Sequence, residues 1–219
     1  MPMRTHLTWI FDLDNTLHDA TPHILPHINR SMTAYLREHL ALDEDRASAL
    51  RVHYWKTYGA TLLGLMRHHG TDPQHFLTQT HQFPDLGRMV VAQGGLRHAL
   101  RRLGGRKVLF SNAPKDYASA VLERLRIADL FDAFYALEHI RYQPKPLAGG
   151  FRLLLARERL MPQRSILVED TLVNLRTAKR LGMKTVWVTR DRRSPGWIDA
   201  KIASVLALPR ISSALGWNR

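Results

Sequence analysis

Trp9-Ile10-Phe11-Asp12-Leu13-Asp14-Asn15-Thr16-Leu17 decides the fold. Leu7 to Phe11 is a run of apolar, β-branched and aromatic residues and reads as a buried strand. It stops at two acidic residues one position apart. A carboxylate at the carboxyl end of a buried strand faces the crevice in which open α/β sheets bind ligands. Two of them there repel each other unless a cation lies between them or one carries a proton. On its own, Asp-x-Asp is equally a strand closing in an Asx turn. A calcium loop starting at Asp12 is excluded, because it needs Gly at its sixth position and Glu at its twelfth, where the chain has Leu17 and His23.

Composition narrows the field. A chain of 219 residues, 45% hydrophobic, can build one full core, alone or with a smaller insert. The absence of cysteine excludes a disulfide framework, a thiolate metal site and a cysteine nucleophile. No apolar run is long enough to span a membrane. Met1 to His6 is not followed by a signal-peptide pattern, since the apolar stretch breaks at Asp12. A cytoplasmic enzyme is expected. The formal net charge of +13 has two readings. One is phosphate neutralisation on nucleic acid. The other is attraction of small phosphorylated substrates. The arginines, those between Arg97 and Arg193 among them, are spread along the chain without a compact basic block, which favours the second.

Downstream, Thr21 to Val91 carries no strand pattern. Ile24, Ile28, Met32, Tyr35 and Leu36 follow helical spacing after Pro22, and Asp43 to Tyr58, Ala60 to His69 and the stretch after Asp72-Pro73 read as further helices. From Gly94 on, strands and helices alternate. Lys107 to Phe110, Phe134 to Leu137, Ser165 to Val168 and Lys184 to Val188 read as strands, with helices over Gly95–Leu103, Asp116–Arg126, about Gly150–Leu160 and Thr171–Leu181. That alternation predicts an α/β fold, a doubly wound, Rossmann-like parallel sheet with right-handed crossovers. The gap between the first two strands is several times a normal crossover, which predicts an inserted all-helical cap. The expected boundaries are 1–18 with 92–219 for the core and 19–91 for the cap.

Polar residues end three of these strands: Asp12 and Asp14, Ser111 and Asn112, Glu169 and Asp170. Lys145 comes from the Pro-bracketed loop Gln143-Pro144-Lys145-Pro146. Singly each has a plain reading: Ser-Asn as a turn or N-cap, Lys145 as a solvated charge, Glu-Asp as helix-dipole compensation. Together, in this order at one sheet edge, they resemble the haloacid dehalogenase (HAD) superfamily of aspartate-nucleophile hydrolases, in the subfamily (IA) with a helical first-type (C1) cap. Motif one is Asp12-Leu13-Asp14-Asn15-Thr16, motif two Ser111-Asn112, motif three Lys145 and motif four Glu169-Asp170. Within the cap, the stretch from His53 to Leu65 resembles the pyrimidine 5′-nucleotidase branch, as do Asn174, Ala178 and Lys179 after motif four.

The resemblance implies a phosphomonoesterase. Asp12 would attack phosphorus and form an aspartyl phosphate. Asp14 would protonate the leaving alcohol and then deprotonate water. Asp12, Glu169, Asp170 and a phosphomonoester dianion bring five negative charges, and a divalent cation with Lys145 returns three, a deficit that favours a protonated Asp14. The hard oxygen ligands suit Mg²⁺, held by Asp12, the Asp14 carbonyl and Asp170, with Glu169 acting through water. Ser111 and the Asn112 amide would hold phosphoryl oxygens, helped by Lys145, while Thr16 would support the acids and Asn174 would orient Glu169 and Asp170 or, equally, be a plain surface residue. Halide leaves without a proton, so a second acid at Asp14 favours phosphatase over dehalogenase.

The expected substrates are nucleoside 5′-monophosphates, UMP and CMP first, with Tyr54, Trp55 and Tyr58 as base-stacking contacts or, equally, packing residues of a small helical domain. The alternatives are phosphoglycolate or a sugar phosphate and, in another class, a catalytically silent basic nucleic-acid binder. The partner is expected to be a small phosphorylated substrate, with no specific nucleic acid and no membrane, acting on a monomer or weak homodimer. His23 with His27, and His68 with His69, read as surface histidines, having no further ligand in sight.

Overall fold

The structure, a computed structural model, describes residues 7–217; the Met1 to His6 stretch weighed above as a leader lies outside them. The chain divides into two compact units, Met1–Asp19 with Val91–Arg219, and Ala20–Val90.

The first unit is built on a parallel sheet. Its strands are β1 (Thr8–Phe11), β2 (Arg106–Phe110), β3 (Ala133–Tyr135), β4 (Ser165–Glu169), β5 (Lys184–Val188) and β6 (Ala200–Ile202), in the order β3-β2-β1-β4-β5-β6. Every pairing is parallel. β1 therefore lies at the middle, between β2 and β4. The chain runs outward to β3 on one side and restarts at β4 on the other, so the topological switch falls between β1 and β4. Phe11 stands opposite Leu109 on one flank and Val168 on the other, which brings the strand ends that carry Ser111, Asp12 and Glu169 level. All four β1 residues are buried. Strands covered on both faces read as continuous apolar runs, which is why β1 was legible. The Trp9 indole donates to Gly104 O at 3.0 Å, and its ring meets Trp217 edge-on at 6.1 Å. Gly105, at φ +84°, lets Leu7 O pass where a Cβ would stand 2.2 Å away.

The sequence places β3 at Phe134–Leu137. In the structure it is Ala133–Tyr135, because Leu137 N turns to Ala113 O, outside the sheet. β6 was not anticipated.

The second unit is all-helical: α1 (Ile24–Leu40), α2 (Glu44–Tyr58), α3 (Thr61–His69), α4 (Pro73–Thr80) and the single turn α5 (Leu86–Met89). Packing joins α1 to α2 and α4, and α2 to α3. Ile24, Ile28 and Leu36 of α1, Leu62 and Leu65 of α3 and Phe76 of α4 form its apolar interior. Asp43 caps α2 by accepting from Arg46 N, and Asp72 caps α4 from Gln74 N ahead of Pro73. The remaining helices belong to the α/β unit: α6 (Leu96–Arg101), α7 (Lys115–Arg124), α8 (Ala148–Arg157), α9 (Leu172–Arg180) and α10 (Leu208–Ala214). Among the described residues, no helix is long and apolar enough to cross a membrane.

Candidate active site

The turn after β1 sets the first half of the site. Asp12 N still donates to Val168 O across the ladder at 3.0 Å, and Leu17 N then donates back to Leu13 O at 2.9 Å. Asn15 sits at φ 60° in this turn, a left-handed conformation that Asn tolerates better than most side chains. The reversal returns Thr16 over the strand end, where its hydroxyl donates to Asp12 Oδ2 at 3.2 Å. Two residues further round, His18 Nε2 lies 2.9 Å from Asp14 Oδ1.

Lys145 supplies the centre. Its Nζ donates to Asp12 Oδ1 at 2.7 Å and to Glu169 Oε2 at 2.7 Å, and it lies 5.2 Å from the Phe110 ring centroid. Only 1% of Lys145 is exposed, so this is a desolvated charge held by two carboxylates. Burial alone would lower its pKa, but the charges of Asp12 and Glu169 and the hydrogen bonds to both hold it above the ordinary lysine value. The backbone of Lys145 is fixed by Asn112: Lys145 N donates to Asn112 Oδ1, and Asn112 Nδ2 donates to Lys145 O, each at 2.8 Å. The Asn112 side chain thus aligns the lysine loop with the end of β2. Both polar atoms of that side chain are therefore engaged by the Lys145 backbone. Ser111, also buried, accepts from Ala113 N at 3.1 Å through Oγ, which leaves its own hydroxyl proton to donate.

The third strand end completes an acidic cluster. Oxygens of Asp12, Glu169 and Asp170 can all lie within 4.8 Å of one another. Glu169 Oε1 accepts from Thr171 N at 3.2 Å, and Asp170 Oδ1 from the Thr171 hydroxyl at 3.1 Å. The Trp187 indole holds Asp170 O at 2.8 Å. Burial, then the charge of Glu169, pushes the Asp12 carboxyl up to about 7 against the pull of Lys145. Burial, partly offset by Lys145, takes Glu169 to about 7, and burial and the Asp12 charge raise Asp170. Such carboxylates gain from a cation. An all-oxygen carboxylate set fits a hard divalent ion such as Mg²⁺.

Residues 9–188 match the family described as haloacid dehalogenase-like hydrolase. The chain belongs to that family. Among relatives of this hydrolase, the phosphoglycolate phosphatase of Pseudomonas putida is 24% identical over 210 residues, covering 90% of this chain and 74% of that protein. Phosphate metabolism protein 8 of Saccharomyces cerevisiae is 29% identical over 135 residues, 57% of this chain and 41% of its own length. A HAD phosphatase from Thermococcus onnurineus superposes with a TM-score of 0.67 at 20% identity, over 97% of this chain and 99% of that one. The L-2-haloacid dehalogenase of Xanthobacter autotrophicus gives 0.63 at 16%, over 96% and 99%. Those two likenesses show the fold.

In this haloacid dehalogenase-like hydrolase, Asp12, Thr16, Ser111, Asn112, Lys145, Glu169 and Asp170 meet at one sheet edge, with Asp14 one residue beyond Leu13. Asn174 is buried on α9, but among the described residues no hydrogen bond joins its side chain to Glu169 or Asp170. Tyr54, Trp55 and Tyr58 belong to the helical unit. The Tyr54 hydroxyl meets His69 Nε2 at 2.8 Å and its ring stacks on His68 at 5.5 Å, while Tyr58 meets His68 Nε2 at 2.6 Å. His68 and His69 are thus tyrosine partners within the helical unit. Trp55 is 58% exposed. His23 is exposed, and His27 meets Gln82 O at 2.6 Å.

Two residues at the site were not foreseen. The Tyr117 hydroxyl donates to Asp14 Oδ1 at 2.5 Å, and His18 shares the same oxygen. Burial, the Asp14 charge and this hydrogen bond push the Tyr117 hydroxyl far above the ordinary tyrosine value, so it stays a donor. His18 had a usable signal, the four-residue spacing from Asp14. Tyr117 had none.

Proposed function

We propose that this chain is a Mg²⁺-dependent phosphomonoesterase working through an aspartyl phosphate on Asp12. The observation that carries the reading is Lys145, buried and bridging Asp12 and Glu169, with the second acid Asp14 close by in sequence and held separately. Asp12, Asp170 and the Asp14 carbonyl would hold the metal, with Glu169 helping through water. When bound, the ion supplies positive charge against the phosphoryl oxygens.

The chain's own residues do the rest. Asp12 is kept in line by Thr16 and Lys145 and attacks phosphorus. Lys145 neutralises the nucleophile and the arriving dianion together. The Ser111 hydroxyl and the Asn112 main-chain N–H donate to phosphoryl oxygens. Asp14 protonates the leaving oxygen, and later takes a proton from the water that releases phosphate. An alkoxide leaving group needs that proton, whereas a halide does not, which supports phosphatase over dehalogenase chemistry. The helical unit acts as the cap and selects the substrate.

For the substrate, the resemblance of His53–Leu65 to pyrimidine 5′-nucleotidases supports nucleoside 5′-monophosphates, UMP and CMP first. The kinship with a protein named phosphoglycolate phosphatase favours a second reading, a small phosphorylated acid or sugar phosphate. Phosphate release from UMP, CMP, AMP, phosphoglycolate and glucose phosphates, with Mg²⁺ or with EDTA, tests both. Turnover that needs Mg²⁺ and vanishes in Asp12→Asn supports the mechanism, and the preferred ester decides the substrate. Silence across the panel, or turnover intact in Asp12→Asn, overturns it.

A further inference from the structure

Asp14 is held by two residues that no motif contains. Tyr117 O–H and His18 Nε2 both converge on Oδ1, at 2.5 and 2.9 Å, while Oδ2 carries no hydrogen bond among the described residues. His18 is 3% exposed, and its Nδ1 is the one buried side-chain nitrogen or oxygen without a hydrogen-bond partner among the described residues. A ring placed there only to fill space would leave an unpaired buried nitrogen for nothing. With Nε2 facing Asp14, Nδ1 is the ring nitrogen left without a partner among the described residues.

We propose that His18 and Tyr117 are positioning residues for the proton-transferring carboxyl of Asp14, which they pin through Oδ1 so that Oδ2 is the oxygen that exchanges the proton. The proposal rests on the reading of Asp14 as the acid–base group. A free carboxyl turns broadly about its last torsion and interchanges its oxygens. Two donors on one oxygen remove that freedom. As the bond from phosphorus to the leaving oxygen breaks, that oxygen takes the proton from Oδ2. As water attacks and the bond from Asp12 to phosphorus breaks, Oδ2 takes a proton back. Tyr117 lies on α7, which follows directly on Ser111 and Asn112. One segment therefore carries phosphate donors and the support of the acid.

The test compares an alkyl phosphate with p-nitrophenyl phosphate, whose leaving group needs no proton, in Mg²⁺. It uses His18→Leu, Tyr117→Phe and the donor-retaining His18→Gln. On the alkyl ester, His18→Leu and Tyr117→Phe should lose at least about tenfold in kcat, with KM within about twofold. On p-nitrophenyl phosphate both should release a burst equal to the enzyme, then turn over slowly, because Asp12 is phosphorylated without the acid but hydrolysis lacks a placed base. His18→Gln should recover part of the loss. Equal losses on both esters without a burst, or His18→Gln no better than His18→Leu, overturn the proposal while the phosphatase reading stands. A wild-type chain that hydrolyses neither ester overturns both. The burst amplitude counts competent sites, which separates misplacement from misfolding.

Discussion

The Lys145 ammonium lies 2.7 Å from Glu169 Oε2, with 1% of either side chain exposed. Glu169 therefore holds the lysine that faces Asp12, and the two charges depend on each other. Near an effective dielectric of 20, one charge contact at 4 Å is worth about 4 kcal/mol before desolvation, or about three orders of magnitude in rate. Lys145→Ala should lose at least about that factor in kcat. It should also destabilise the chain by about 3–5 kcal/mol, because two buried carboxylates are left unpaired. Lys145→Ala combined with Glu169→Gln should regain part of that stability and none of the rate. Steady-state kinetics and denaturant melts read both.

Asp12 and Glu169, pushed up to about 7 by burial, give the stability of the metal-free protein a definite pH dependence. Between the unfolded carboxyl range near 4 and about 7, the folded chain binds more protons than the unfolded one, so stability falls as pH rises through that window. A divalent cation competes with those protons. The rise in Tm on adding Mg²⁺ should therefore be larger at pH 8 than at pH 5.5. A shift independent of pH between those values would place the ion elsewhere.

Glu158, just past α8, ties two strands of the sheet together. It accepts from the Tyr135 hydroxyl and from Arg106, each at 2.6 Å. Partial burial would raise its carboxyl, but these hydrogen bonds and the Arg106 charge hold it below the usual range. Its contribution is thus present above the unfolded glutamate pKa and is lost as pH falls through the lower folded value. Glu158→Gln should cost about 1–3 kcal/mol at pH 7, and the difference from wild type should shrink toward pH 3. Paired urea melts at the two pH values measure it.

The legible parts of this protein were those that repeat a simple pattern. β1 announces itself because a strand covered on both faces must be apolar throughout, and its acids are conspicuous because they end that run. Asp43 and Asp72 mark helix starts through caps that need only local sequence. The site was readable as strand ends, since a parallel sheet puts all such ends on one edge. What stayed hidden depends on distance or brevity. Tyr117 reaches Asp14 across 103 positions. β6 is three residues long and carries no alternation to detect. The Asn112 side chain is paired with the backbone of Lys145, a contact that sequence does not display. Tyr54 read equally as a stacking or a packing residue because its partners lie on the next helix.

That last contact makes a sharp prediction. A Cβ on Gly64 would stand 2.2 Å from Tyr54 Cγ and 2.6 Å from its Cβ, so α2 and α3 approach closely only because Gly64 has no side chain. The ring has little room to yield. Its hydroxyl is bonded to His69, and its face is stacked on His68 at an interplanar angle of 14°. Gly64→Ala must then push the two helices apart, at about 1–3 kcal/mol for an overpacked contact. The loss should be confined to the helical unit: amide exchange should quicken in α2 and α3 while β1 and β4 keep their protection. Removing the obstruction gives the control. In a double-mutant cycle, Tyr54→Ala combined with Gly64→Ala should cost less than the sum of the two single changes. Additive costs would mean that the helices accept the methyl without meeting the ring, and that the close packing of Tyr54 on Gly64 does not hold these helices together.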